Sequence, residues 1–283
     1  MLEWFDEHWY QIELDGGEVR FLASVTTKLQ ATPKPFLARW RGDVGNREAD
    51  LRLYEAGARG TRIHYAASVL AKNGTVVYNP FNRPTYSHDQ IKHIEDETGE
   101  EVFVLQDQNE MYQVVKFKDW LDEVKPEIVA YDKIVYDLEN NDAGTIDFIF
   151  KINEGFYDVS GATPLALAEG YYIVDLKSSN QLQDDYWMQV AAYTKMAADN
   201  FINKDEIQGG LLIHTNAVRT KKGIPGLMTK LHTKEALRGD YEAYRHVSAI
   251  WERHNKNAAP KLLQFPSYVT LRSDDACKNN QNS

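Results

Sequence analysis

The chain has 283 residues, of which 43% are hydrophobic and 26% charged, and this composition excludes the disordered and fibrous classes. Its single cysteine, Cys277, excludes an internal disulfide, an iron–sulfur cluster and a CxxC zinc site. The net charge of −10 argues against a protein that binds nucleic acid by bulk charge, but it does not exclude one that uses a local groove and bound metal ions.

The first portion of the chain, residues 1–125, is predicted to be mostly helical. Weak polar–apolar alternation over 2–22 predicts a short hairpin that turns at 15–17. Ser24 is a typical helix cap, and a 3.6-residue apolar period predicts a helix over 47–71 with a break near Gly57 and Gly60. A short helix over 88–97, a strand over 101–105 and a helix over about 112–124 complete this portion.

From Pro126 the pattern changes and predicts an α/β core over 126–272. We expect strands over 128–136, 145–152, 171–176 and 209–215, and helices over 184–201 and 233–255. An extended loop is predicted over 155–170, and a disordered tail over 273–283. The two portions together are expected to form one compact domain.

Two aspartates and a lysine give the strongest chemical signal. Asp147 lies in the run Thr-Ile-Asp-Phe-Ile-Phe, while Asp175 and Lys177 lie in Tyr-Ile-Val-Asp-Leu-Lys. Successive strands usually pair as a hairpin, which would bring the two carboxylates together. Each residue alone is more often a turn or solvated residue, but charges in such apolar runs are costly unless paired or coordinated. Oxygen ligands of this kind suit Mg²⁺ or Mn²⁺, and with a lysine they favour phosphodiester hydrolysis.

These residues resemble the catalytic core of the PD-(D/E)XK nuclease superfamily. Gln189 and Tyr193 are similar to the QxxxY motif of its RecB-type exonuclease branch, which includes stand-alone phage and mitochondrial genome maintenance exonucleases. Gly60 and His64 are similar to the Gly-x-x-x-His motif of these nucleases, and the motifs follow the family order over 24–215. The resemblance implies a restriction-endonuclease-like α/β fold, with a mixed central sheet flanked by helices and a largely helical N-terminal portion that covers the active site.

The resemblance also implies a role for each matching residue. Asp147, Asp175 and the backbone carbonyl of Leu176 would ligate Mg²⁺, for which Mn²⁺ would substitute. Lys177 would activate or position the attacking water and stabilise charge in the transition state. His64 would help to bind a second metal ion or the scissile phosphate, although alone it reads as a helix-surface histidine.

Three more positions complete the expected site. Gln189 and Tyr193 are four residues apart, hence on one helix face, and would contact the nucleic-acid backbone or fix Lys177. Ordinary helix packing is the alternative for both. The glutamate that the family carries on the preceding strand is matched by Asp132, which is one methylene shorter and would reach metal through water. Glu127 is a competing candidate, but its register is wrong by an odd step.

Basic and aromatic residues indicate where nucleic acid would bind. Cations interleaved with aromatic side chains are typical of a groove that follows the backbone of a single strand and stacks its bases. A run of charges is as often a solvated face. The predicted contacts are Lys28, Arg39, Trp40, Arg41, Arg59, Arg62, Lys221 and Lys222.

The resemblance therefore implies a metal-dependent DNA exonuclease that acts on single-stranded DNA or strand ends, in replication, recombination or repair. A structure-selective endonuclease and a catalytically inactive nucleic-acid-binding module remain the alternatives. Expected partners are DNA and a helicase, recombinase or single-strand-binding protein, and no membrane. Because no apolar run approaches the ~18–20 residues of a membrane span, we expect a soluble intracellular protein, in the cytoplasm of a bacterial or phage-infected cell rather than in an organelle.

Overall fold

The computed structural model describes residues 2–4, 7–14, 16–80, 101–159, 163–217 and 226–260. Its helices are α1 (Val25–Lys28, continued by a 3₁₀ turn at Leu29–Ala31), α2 (Pro35–Val44), α3 (Asn46–Ala71), α4 (Gln108–Val124), α5 (Asp185–Asn200) and α6 (Lys234–His254). Its strands are β1 (Leu2–Trp4), β2 (Glu7–Glu13), β3 (Val19–Ser24), β4 (Thr75–Tyr78), β5 (Val102–Leu105), β6 (Glu127–Asp137), β7 (Asp142–Ile152), β8 (Gly155–Tyr157), β9 (Leu165–Leu167), β10 (Gly170–Lys177), β11 (Ile207–His214) and β12 (Met228–Thr233).

A mixed central sheet runs in the order β1-β2-β3-β7-β10-β11-β12, and β6 also pairs with β7. The predicted hairpin is formed by the antiparallel strands β2 and β3, and β3 then runs parallel to β7. Strands β7 and β10 are antiparallel, as the sequence predicts. Strands β10 and β11 are parallel, with α5 as the crossover helix that such a pair requires.

Helices cover both faces of this sheet because successive strand residues point to opposite sides. On one face, strand residues such as Ile173 pack against α5 and α6, where Val190 and Tyr244 are fully buried. On the other face, Val174 belongs to a second core that α3 and α4 complete, with Ile63 and Trp120 fully buried. The predicted fold class, a mixed sheet flanked by helices, is confirmed.

Several details differ from the sequence prediction. Helix α3 is continuous, so the expected break near Gly57 and Gly60 is wrong. Helix α4 begins earlier than predicted because Asp107 caps it, accepting hydrogen bonds from the backbone N–H groups of Asn109 and Glu110. The predicted loop over 155–170 contains a small hairpin of β8 and β9.

The N-terminal portion is not separate from the core, since its hairpin extends the central sheet through the pairing of β3 with β7. The predicted helix over 88–97 and the predicted tail over 273–283 lie outside the described residues. In the described part of the chain, no helix combines the length and apolar character needed to cross a bilayer.

Candidate active site

The site lies where β7 separates from β10. Pairing of the two strands ends at Phe148 and Val174. Closer to the start of β7, the same edge pairs instead with β3, at Asp142 and Ala143. Asp147 is the first residue past the end of the pairing. Its Oδ2 accepts a hydrogen bond of 2.8 Å from the backbone N–H of Leu176, which bridges the opening between the strands.

Asp175 and Lys177 lie two residues apart on β10 and point to the same face. The Lys177 Nζ is 2.6 Å from Asp175 Oδ2, and the two side chains are 14% and 3% exposed. Leu176, which follows Asp175 in β10, donates its backbone N–H to Asp147 and so connects the two aspartates. The structure thus brings the two predicted carboxylates and the predicted lysine into one largely buried cluster.

Gln189 and Tyr193 project from α5 into this cluster. Gln189 donates from Nε2 to Asp175 Oδ1 at 3.1 Å and accepts at Oε1 from Lys177 Nζ at 3.2 Å. The same Nε2 lies 3.3 Å from the hydroxyl of Tyr193. Of the roles predicted for Gln189, fixing Lys177 agrees with these contacts. Tyr193 also packs in the core, so its hydroxyl is the end of a buried ring.

His64 approaches the cluster from α3 on the opposite side. Its Nδ1 is 3.3 Å from Asp147 Oδ1, and its side chain is about one-third exposed, at 32%. One turn earlier, a Cβ on Gly60 would lie 3.5 Å from the hydroxyl oxygen of Ser178, just past the end of β10. Helix α3 therefore runs close beside the carboxyl end of β10, where His64 faces both the site and solvent.

Two residues that the sequence analysis missed shape the site. A Cβ on Gly144 would lie 2.3 Å from the Tyr193 ring, so only glycine leaves room for that ring beside β7. The ring of Tyr186 lies 4.2 Å from Lys177 Nζ, a cation–π distance. Their spacing from predicted site residues could have indicated both. Gly144 stands three residues before Asp147, and Tyr186 is one helical turn before Gln189, on the same helix face.

Charge and burial oppose each other in this cluster. Burial raises the pKa of Asp175 to about 6, since Lys177 offsets it only in part and Asp147 adds to it. Burial also disfavours ionised Asp147, but His64 and Lys177 outweigh it and lower the pKa of Asp147. For His64 and Lys177, burial opposes protonation, but the neighbouring carboxylates prevail and raise both pKa values. Burial raises the pKa of Tyr193 well above its usual value.

The donor set suits a hard divalent cation. When two carboxylates lie close together in a buried place, it is unfavourable for both to be ionised unless a cation compensates their charge. Mg²⁺ is commonly held by one or two carboxylates, with waters and substrate phosphates completing its shell. The described ranges contain no group of three His, Cys, Asp or Glu side chains arranged to hold a metal by themselves. Asp147, Asp175 and the Leu176 carbonyl would therefore supply part of a shell that water or phosphate completes.

Asp132 lies beside the cluster rather than within it. The pairs Tyr131–Phe148 and Lys133–Ile146 set Asp132 across from Asp147 on the neighbouring strand. Its backbone is left-handed, with φ of 46°, and its side chain is exposed. A metal contact through water stays a prediction for Asp132. Glu127 pairs with Lys151, four residues along β7 from Asp147 and hence about 13 Å away along the strand, which removes it as a competitor.

The predicted nucleic-acid contacts divide into two groups. Lys28 is wrong as a surface contact, because it is 1% exposed and its ammonium contacts Asp142 and Glu252. Arg62 is half-exposed, but its guanidinium is held by hydrogen bonds to both carboxylate oxygens of Glu110 on α4.

The other predicted contacts keep accessible surface. Arg39 on α2 is exposed, Trp40 is half-buried, and Arg41 pairs with Asp50 at 2.8 Å while remaining 36% exposed. Arg59 lies next to Gly60, and its Nε is buried without a hydrogen-bond partner in the described structure. The two remaining predicted contacts, Lys221 and Lys222, fall outside the described residues.

No protein-family model matches this chain, and no curated protein is similar enough to be recognised as related.

Proposed function

We propose that the protein is a metal-dependent DNA nuclease, and that it acts as an exonuclease on single-stranded DNA or strand ends. The observation that carries the proposal is the convergence of Asp147, Asp175 and Lys177 at the opening between β7 and β10. Carboxylates whose pKa values are shifted by burial and by specific charged neighbours, as those of Asp147 and Asp175 are, are candidates for a functional site. The arrangement suits a divalent cation and a phosphodiester.

Each residue has a role in this proposal. Asp147, Asp175 and the Leu176 carbonyl would hold Mg²⁺, which supplies Lewis acidity to a phosphoryl oxygen and lowers the pKa of the attacking water. Lys177, fixed by Gln189, would orient that water and balance the charge that develops on the phosphate. His64 would contact the scissile phosphate from the solvent side of the cluster.

The surface beside the cluster supports a single-stranded substrate. Lys34, just before α2, is 2.9 Å from Asp185 in the first turn of α5, so α2 begins beside the helix that carries Gln189. Helix α2 then presents Phe36, which is 71% exposed, and the exposed Arg39. An accessible aromatic ring next to a cation offers the stacking and charge that unpaired bases and phosphates need.

The function is tested with end-labelled single-stranded DNA in Mg²⁺, in Mn²⁺ and in EDTA. We expect digestion that requires metal and that falls roughly hundredfold or more in Lys177→Ala, because a group that stabilises the transition-state charge is lost. Lys230→Ala is the matched control, since Lys230 is an exposed strand lysine on β12. Digestion that survives EDTA, or that Lys177→Ala leaves intact, would contradict the proposed mechanism.

Substrate form separates exonuclease from endonuclease. A circular single strand has no end, so an exonuclease leaves it intact while degrading the same strand once it is linear. Cleavage of the circle would replace the exonuclease with an endonuclease on the same site. A folded protein that cuts no form in either metal, yet binds DNA, would be the inactive binding module, and an RNA strand of the same sequence tests the preference for DNA.

A further inference from the structure

A groove between α5 and α6 lies apart from the candidate active site. Along α5 it is lined by residues that recur at helical spacing, from Ala191 to Ala198, and along α6 by residues from Lys234 to Tyr241. Both sets follow an i, i+3, i+4, i+7 pattern, so each is one stripe of its helix. The loop between α5 and β11 borders the groove through Lys204.

The floor of the groove is aliphatic. Ala191, Ile207 and Leu237 form it, each at most 4% exposed, and Ala198 lies half-buried beside them. A floor that is built from small and branched aliphatic side chains accepts an apolar side chain from outside and offers little to a polar one.

The rim of the groove is basic. Lys195, Lys204, Lys234 and Arg238 all line it, and no aspartate or glutamate is among its described lining residues. Four cations around one groove stand out in a chain with 32 basic and 42 acidic residues. The charged residues that line the groove are therefore all basic, on a protein of negative net charge.

Part of this charge is already compensated by neighbours. Lys195 pairs with Asp199, and Lys234 Nζ lies 3.9 Å from Asp205 Oδ1. Arg238 is exposed and has no ion pair within the described ranges, so its guanidinium remains available at the rim.

From the apolar floor and the basic rim, we infer that the groove binds an acidic peptide segment of a partner protein through an apolar anchor side chain. Carboxylates of the segment meet Arg238 and the rim lysines, while an aliphatic or aromatic side chain enters the floor. Single-stranded nucleic acid fits less well, because its bases need aromatic planes to stack on and Tyr241 is the sole aromatic ring among the described lining residues.

The location of the groove allows both sites to be used at once. Helix α5 directs Gln189 and Tyr193 into the catalytic cluster, whereas Thr194 and Ala198 face the groove. A segment bound there leaves the opening between β7 and β10 free. The inference does not depend on the proposed function, since it concerns binding alone.

The test uses the full chain and a fluorescein-labelled peptide of three aspartates followed by Leu-Leu-Phe with a free carboxyl terminus, measured by fluorescence anisotropy. We expect saturable binding that Arg238→Glu weakens about tenfold or more, because an attraction becomes a repulsion. Ala198→Phe, which fills the groove, should weaken binding to a similar degree. Arg253→Glu, an exposed change elsewhere on α6, should leave it unchanged.

Altered peptides and single-stranded DNA test whether another kind of ligand occupies the groove. Replacing the apolar residues of the peptide by serine, or its aspartates by lysine, should abolish binding. The inference is overturned if the wild-type chain does not bind the peptide, or if Arg238→Glu and Arg253→Glu weaken binding equally. It is also overturned if the serine peptide binds as well, or if single-stranded DNA displaces the peptide and loses affinity through Arg238→Glu. Circular dichroism of each variant ensures that a lost interaction is not lost folding.

Discussion

At the residue scale, Lys177 is held by more than one partner. Its ammonium contacts the Asp175 carboxylate at 2.6 Å, Gln189 Oε1 at 3.2 Å and the face of Tyr186 at 4.2 Å. Each contact restricts a long side chain that would otherwise sample many rotamers. In the proposed mechanism the lysine is consequently in place before the substrate binds, which is the condition for effective electrostatic stabilisation.

Gly144 is expected to be indispensable for this arrangement. In Gly144→Ala the new Cβ would lie 2.3 Å from Tyr193 Cε1 and 2.9 Å from its hydroxyl, so the ring must move away from Gln189. Overpacking of this kind costs about 1–3 kcal/mol. We expect a lower free energy of unfolding by urea denaturation and a loss of the proposed nuclease activity.

Gly57→Ala is the matched control for that substitution. Gly57 lies within α3, and a Cβ there meets nothing within 4 Å, so the change should stabilise the protein by about 0.5–1 kcal/mol. The double variant Gly144→Ala/Tyr193→Leu removes the overlapping ring and should recover stability but not activity. If Gly144→Ala alone unfolds at the wild-type urea concentration, the proposed close packing is wrong.

At the element scale, one buried lysine joins three elements that are remote in sequence. Lys28 at the end of α1 donates to Asp142 at the start of β7 at 2.5 Å, to Glu252 on α6 at 2.7 Å and to the Asn140 carbonyl at 3.0 Å. Arg245 Nη1 also lies 3.7 Å from Asp142 Oδ2. This network holds α1 and the C-terminal helix α6 against the start of β7.

Lys28→Met is expected to destabilise the protein by about 3–5 kcal/mol, because it leaves the buried carboxylate of Asp142 without its main partner. Burial already raises the pKa of Asp142 above 3.8 despite Lys28, and loss of the lysine raises it further. The folded variant then binds a proton more readily than the unfolded chain, so its stability increases as the pH falls through that raised pKa. Urea denaturation should show a smaller penalty at pH 5 than at pH 7.5.

Two comparisons test that explanation. Lys28→Met/Asp142→Leu replaces the pair by apolar side chains and should recover most of the lost stability. Lys118→Met removes a lysine that pairs with Asp122 on the surface of α4 and should change the unfolding midpoint little. An equal penalty at both pH values would mean that Asp142 does not titrate as described.

At the scale of the whole molecule, a bound cation should stabilise the folded chain. A ligand that binds only the folded state adds about 2.7 kcal/mol at a concentration one hundred times its dissociation constant. For a chain of 283 residues, whose unfolding entropy is about 0.6 kcal/mol/K, we expect this stabilisation by Mg²⁺ or Mn²⁺ to raise the unfolding temperature by roughly 4–5 °C. Differential scanning calorimetry measures the shift independently of any nuclease activity.

Variants distinguish this effect from general screening of negative charge. Asp147→Asn should abolish the shift, because it removes one of the two carboxylates. Lys177→Met should retain it, since the lysine repels the cation rather than binding it. A shift of the same size in Asp147→Asn would show that the cation acts on the surface charge of −10 and not at the candidate site.

The sequence predicted most elements of the fold, since the period of apolar residues reports the local burial of a helix or strand. It failed where that period is ambiguous, as at Gly57 and Gly60, where glycines within a long apolar pattern were taken as a break. The β8–β9 hairpin was missed because its strands are only three residues each. Such short strands contain too little alternation to be recognised.

By itself, the sequence predicted that Asp147, Asp175 and Lys177 would meet, because successive strands usually pair and alternate strand residues share a face. That Gln189 would join them was implied by the family resemblance. Only the tertiary structure decided which charges remain available. Lys28 meets Asp142 across 114 residues, and Arg62 meets Glu110 across 48. A lysine or arginine has the same one-letter identity whether it is solvated or paired, and the partner is set by long-range packing that no local pattern contains.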